Sequence, residues 1–241
     1  MKQLIRFSPA ILALVVLLLF AACKENIIRG KGETTTKQRR VSTFDKVVID
    51  MALDATIIVG EPNGVRVKAQ NNLQEHIRTE VKNNTLHIHH DGIMLRNDDI
   101  EVAITMPAIT KLEIKGAADA DVRGDVKGSR FDLEVKGASD VNIETLHVDM
   151  LSVKLSGASE LNISSGYATF AGYKVTGAGE INAAKLVSKK VTAKVSGASE
   201  MSLHVTDSLN ANIAGAGEID YTGHPQISSK VTGAGYLNDR N

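Results

Sequence analysis

Seven glycine turns at nearly constant spacing constrain this chain more than any other feature. They open at Gly116, Gly137, Gly157, Gly177, Gly197, Gly215 and Gly233, 18 to 21 residues apart, each beginning a Gly-Ala-small-residue pattern that leads, in six of the seven, to an acid. A fixed period near 20 residues is the mark of a solenoid, in which each repeat buries its apolar side against its neighbours. Within one repeat Phe131, Leu133 and Val135 alternate with Asp132, Glu134 and Lys136, and beyond the turn Val141 and Ile143 flank Asn142. Period-two alternation means strands with one face inward. The same columns recur as Leu151, Val153, Leu155 and as Val191, Ala193, Val195. β-branched alternation broken by glycine leaves no 3.6-residue stripe, so long helices are excluded.

The expected fold is all-β: a parallel β-helix (β-solenoid) over residues 111–241, preceded by a smaller β-rich region over 41–110. Each coil has a longer strand before the glycine, a short one after it and a third segment near 146–148, 166–168 and 186–188. Six intervals at strand spacing predict a rod of roughly 30 Å. A sandwich of hairpins is the runner-up and supplies no reason for a constant period. The turn glycines are read as corners with positive φ and close approach of the next coil. Asn142, Asn162 and Asn182, continued by Ser202, Asp220 and Asn238, form one structural column. Residues 27–110 fit either a separate lobe or an irregular start to the solenoid. Leu73 to Val81 is expected to form one short helix, and the polar stretch 24–40 a flexible tether.

Lys2 and Arg6 precede an apolar run from Ile11 to Phe20, then Ala21, Ala22 and Cys23, the only cysteine. That is the grammar of a secretory signal over 1–22, resembling a bacterial lipobox with Phe20 where an aliphatic is usual. Cys23 is therefore expected to be lipidated and to begin a tether over 23–40. A lone cysteine leaves no intrachain disulfide and no thiolate metal site. The chain has 28 basic and 28 acidic residues, and loss of the leader leaves a mature charge of −2. With no Trp and few Phe or Tyr, nothing indicates nucleic acid.

The acids of the turns, Asp119, Asp140, Glu160, Glu180, Glu200 and Glu218, should stack about 5 Å apart. Such a column is a candidate ion-binding or purely structural feature, its spacing superficially suiting a calcium column or a retaining glycosidase pair. Catalysis requires two carboxylates in different environments, and a regular column gives them similar ones. Lys154, Lys174 and Lys194 form a second column three residues before each glycine. His87 and His89 share one strand face with His90 opposite, too few ligands for a metal site. Neither a Gly-x-Ser-x-Gly elbow nor a phosphate loop occurs, and no catalytic residue, metal or cofactor is assigned.

Taken with Gly30-Lys31-Gly32 and Val41-Ser42-Thr43-Phe44-Asp45-Lys46-Val47, the signal and the repeated turns resemble the auto-transporter adhesin family with a head GIN domain, found in envelope proteins of Bacteroidetes-type bacteria. The family's usual turn has Ser where this chain has Ala and often Asp where it has Glu. The resemblance implies an all-β, exported, adhesin-like lipoprotein and brings no catalytic residues. With the signal and the repeats, the expected function is that of a non-enzymatic cell-envelope module, anchored by lipid to the outer membrane and facing the periplasm or the surface, with a glycan or protein ligand. Two other functions fit the fold: an envelope polysaccharide lyase or hydrolase, and a periplasmic scaffold or sensor.

Overall fold

A computed structural model describes residues 27–92, 94–96 and 99–241. Cys23 and the leader lie outside the described residues. Every regular element described is a strand, and 17 strands belong to one continuous sheet that winds into a β-solenoid of about six turns at ~20-residue spacing.

Parallel register carries each coil onto the next without slippage at the glycines: Gly116, Gly137, Gly157, Gly177, Gly197, Gly215 and Gly233 stack in one line. Inside, Ile114, Val135, Leu155, Val175, Val195 and Ile213 form a column whose members are at most 1% exposed. Its neighbour runs Leu112, Leu133, Val153, Tyr173, Ala193, Ala211, so the bulk of Tyr173 is met by alanine in the two coils above. Beyond the corner, Val141, Leu161, Ile181, Met201 and Ile219 line a third column. Each such side chain contributes ~1.5–3 kcal/mol by leaving water. The third segment is likewise laddered, Leu146 on Gly166 and Gly166 on Leu186.

The corners combine two demands on one residue. Gly157 has φ of +116°, and a Cβ there would lie 2.2 Å from the carbonyl oxygen of Gly137. The following alanines keep the ladder unbroken, Ala158 N–H donating to Gly137 O and Ala178 N–H to Gly157 O. Ser139, Ser159 and Ser199 then turn inward. They are 2–7% exposed, and their hydroxyls donate to the carbonyls of Gly116, Gly137 and Gly177 one coil below.

The N-terminal part is built differently. Lys46–Asp50 lies between Thr85–His90 and Lys111–Gly116, parallel to both, and Leu53–Val59 lies between Glu101–Met106 and the start of Ala118–Gly137. A later stretch of chain therefore sits beneath an earlier one, and residues 41–110 make irregular first coils of the same sheet and core. Antiparallel strands close that end: Ile77–Lys82 beside Thr85–His90, Gly64–Gln70 beside Glu101–Met106, and Thr34–Arg39 outermost. The expected flexible tether is corrected here. Thr34–Arg39 is a strand because β-branched threonines pair along Gly64–Gln70, pinned by Gln74 Nε2 donating to Thr35 O and Arg39 donating to Gln74. Ile27–Arg29 pairs with Met94–Arg96. The expected helix over Leu73 to Val81 is also corrected. Only turns occur, with Gln74 N–H donating to Gln70 O and His76 N–H to Leu73 O, before the alternating Ile77, Thr79 and Val81 draw the chain into a strand. At the opposite end Gln226–Gly233 is exposed throughout, Ile227 and Val231 included.

Candidate functional site

The acids of the turns do meet. Asp140, Glu160, Glu180, Glu200 and Glu218 stack in register immediately past the glycine corner, each peptide N–H from Glu160 to Glu218 donating to the small residue one coil below. Asp119 joins the line through its carboxylate, which accepts from Asp140 N–H at 3.2 Å. Asp140, Glu160, Glu180, Glu200 and Glu218, with Ala158, Ala178, Ala198 and Ala216, line an open groove of about 550 Å³.

Two members of this column carry no repeat signature. Asp54 pairs with Asp119, and Glu101 pairs with Asp54, extending the line of acids into the first coils. Because Glu101 follows Asp54 in sequence yet lies beneath it, only the interleaved topology brings them together. Both ends are closed by cations: Lys68 Nζ lies 2.7 Å from Glu101, and Arg240 contacts Glu218 at 3.4 Å and Asp220 at 3.0 Å. The middle has no such partner among the described residues. Burial, then repulsion from Glu160 and Glu200, holds the Glu180 carboxyl above the usual carboxylate range. Burial, then Asp119 and Glu101, does the same to Asp54.

A raised acid favours the neutral form in the folded state, so the fold gains stability as pH falls through the raised value and loses it as pH rises. Glu180→Gln should therefore melt slightly higher than the parent at pH 7, by less than about 1 kcal/mol since the site is screened by water. That advantage should vanish near pH 4. Thermal melts of both proteins from pH 4 to 8 check this; a constant gap would mean that charge is not its source.

Chemically, the column concentrates negative charge along a shallow channel. Its middle members, Asp140 to Glu200, repeat one coil-equivalent setting without a cation among the described residues, and the ion-paired acids stand at the two ends. Among the described residues no three His, Cys, Asp or Glu side chains converge as a metal-ligand set. His87 and His89 lie on one face of their strand, but His89 Nε2 meets Glu80 at 3.0 Å and its Nδ1 meets His90 O at 3.1 Å. The acid that sequence spacing did not reveal beside these histidines is Glu80, across the hairpin, its carboxyl lowered to about 2 by Lys82 and then His89. The Asn column runs in register with the acids. Asn142 donates to Asp121 at 3.2 Å and Asn238 to Asp220 at 2.9 Å. Among the described residues no helix is long and apolar enough to cross a membrane.

A capped parallel solenoid with one acidic corner and outward faces of repeated small polar residues defines the class: an all-β repeat protein whose available chemistry is on its outer surface. The chain belongs to the family described as "Putative auto-transporter adhesin, head GIN domain", whose model matches residues 43–225. Solved structures agree in fold. A putative adhesin from Bacteroides fragilis is 26% identical, with a TM-score of 0.83 over 88% of this chain and 99% of that one. A putative adhesin from Parabacteroides merdae (21% identical, TM-score 0.73) covers 90% of this chain and 100% of its own. A protein named as a putative lipid binding protein from Parabacteroides distasonis (24%, TM-score 0.72) covers 89% and 100%. No curated protein is detectably similar to this chain.

Proposed function

We propose that the protein is a non-enzymatic, lipid-anchored module of the outer membrane, adhesive toward a glycan or protein at the cell surface. The observation that carries this reading is the regular exterior. The groove along the acidic corner is open and lined by coil-equivalent residues rather than by a set of unlike catalytic groups. The family description and the names of its structural neighbours support adhesion, and the leader ending at Cys23 supports the anchor.

Cys23→Ala should abolish lipidation and release the protein from the membrane fraction, since acyl chains supply the whole attachment. Fractionation with mass analysis reads this, and unchanged partition would refute the anchor. Protease shaving of intact cells gives the orientation, and attachment of cells with and without the protein to glycan and host-protein surfaces tests adhesion. Reproducible glycan cleavage lost in Glu160→Gln/Glu180→Gln would establish an enzyme instead.

A further inference from the structure

The outward face of the strands before the corner changes character halfway along the rod. In the lower coils its charges are neutralised: Lys111 and Lys115 meet Glu113, Lys136 meets Glu134 and Glu113, and Arg130 meets Asp132. From Leu161 to Ser199 the chain carries five lysines and one acid, Glu180, which lies on the other side of the glycine corner. Among the described residues neither these lysines nor Lys154 reaches a carboxylate at ion-pair distance. Lys154, Lys174 and Lys194 stand in register, exposed, as one ridge.

A parallel ridge runs at the far edge of the same face, where Met150, Phe170 and Lys190 stack in register. Met150 and Phe170 are 47% and 48% exposed, in a chain that buries Phe44, Phe131, Tyr173 and Tyr221. Lys190 lies over the Phe170 ring at 5.6 Å, and Lys189 over Tyr167 at 5.9 Å. Between the ridges lies a polar lane, Ser152, Gly172, Thr192 and Asn210. Gly172 differs from the corner glycines: its φ is not positive and a Cβ would meet nothing nearer than 3.8 Å. Glycine inside a strand costs ~0.5–1 kcal/mol relative to alanine, and the backbone here does not require it. What it keeps is the floor of the lane low.

We infer that this face binds a linear anionic polysaccharide lying along the rod, its carboxylates or sulfates on the lysine ridge, a sugar face against Phe170 and its hydroxyls on the polar lane. The inference deepens the adhesive reading above and rests on it for its biological setting. Charge complementarity selects an anion, because bare ammonium groups recur at the ~4.8 Å coil spacing. The hydroxyl-lined floor favours a polyhydroxylated chain over a membrane, which would press an apolar phase onto Ser152 and Thr192.

The test is binding of the full-length protein to polygalacturonate, with dextran as the neutral polymer, phosphatidylglycerol vesicles and single-stranded DNA as other polyanions, and Lys37→Glu on the N-terminal cap as charge control. Polygalacturonate should bind and dextran should not. Lys174→Glu/Lys194→Glu should weaken binding about tenfold or more, Phe170→Ala several-fold, and Lys37→Glu hardly at all, with melting temperatures unchanged. Equal loss in Lys37→Glu, or DNA bound as tightly as polygalacturonate, would reduce the effect to bulk charge and overturn the inference. Binding to vesicles but not to the polymer would overturn it in favour of a membrane-facing surface. Polymer binding lost in the double variant while cells attach normally would leave this face standing and remove the adhesive reading; attachment with no polymer binding would do the reverse.

Discussion

Val175→Asp unfolds the middle coils, whereas Lys174→Asp, one residue away, leaves stability nearly unchanged. Val175 is fully buried between Leu155 and Val195, so a carboxylate there has no water and no partner. Burying such a group costs several kcal/mol, and loss of the valine packing adds about 1–3. Lys174 points outward between Lys154 and Lys194, where an acid is solvated and meets two cations, within about ±0.5 kcal/mol of the parent. Circular dichroism melts and limited proteolysis compare the two. Equal tolerance would contradict the register on which every column depends.

The second large effect concerns the corners. Gly157→Ala forces an L-residue to φ of +116° and drives its Cβ against the Gly137 carbonyl oxygen, a backbone atom that cannot rotate away. Strain at such a φ is worth ~1–3 kcal/mol before the collision is counted, so a loss of about 3 kcal/mol or more is expected, or ~6–12 °C in melting temperature for a domain of this size. Gly172→Ala is the internal comparison and should be neutral or stabilising by up to ~1 kcal/mol. If both alanines cost the same, glycine is serving the strands generally and not the corners.

These contrasts show why one part of the fold was legible in sequence and another was not. From Gly116 onward each coil repeats its neighbour, so Leu155, Val175 and Val195 announce both their burial and their register. The acids from Asp119 to Glu218 were visible for the same reason. Asp54 and Glu101 were not, because alternation marks a strand without saying beside which strand it lies, and here residues 85–106 slip beneath 46–59. The stretch from Leu73 was not legible because the pairing that makes Ile77–Lys82 a strand lies in its hairpin partner, Thr85–His90, and not in its own residues. The inward hydroxyls of Ser139, Ser159 and Ser199 were read only as small. Their absence from Gly217 has a packing cause, since a Cβ there would lie 2.3 Å from Val195 Cγ1, whereas at Gly179 the nearest atoms would be Ser159 O at 3.0 Å and Val175 Cγ1 at 3.1 Å.

The interleaved, antiparallel strands close the N-terminal end of the rod. Terminating a sheet requires edge strands that do not invite further pairing, and Thr34–Arg39, with Lys37 and Arg39, provides that at the N-terminal end. The coils whose corners run from Gly137 to Gly215 each meet two neighbours through the same columns. Duplicating one 18- to 21-residue unit between the first coils and the last therefore leaves both termini untouched while adding about 4.8 Å of reach. Length in such a molecule is a heritable increment, adjustable one coil at a time without redesigning the base from which it rises.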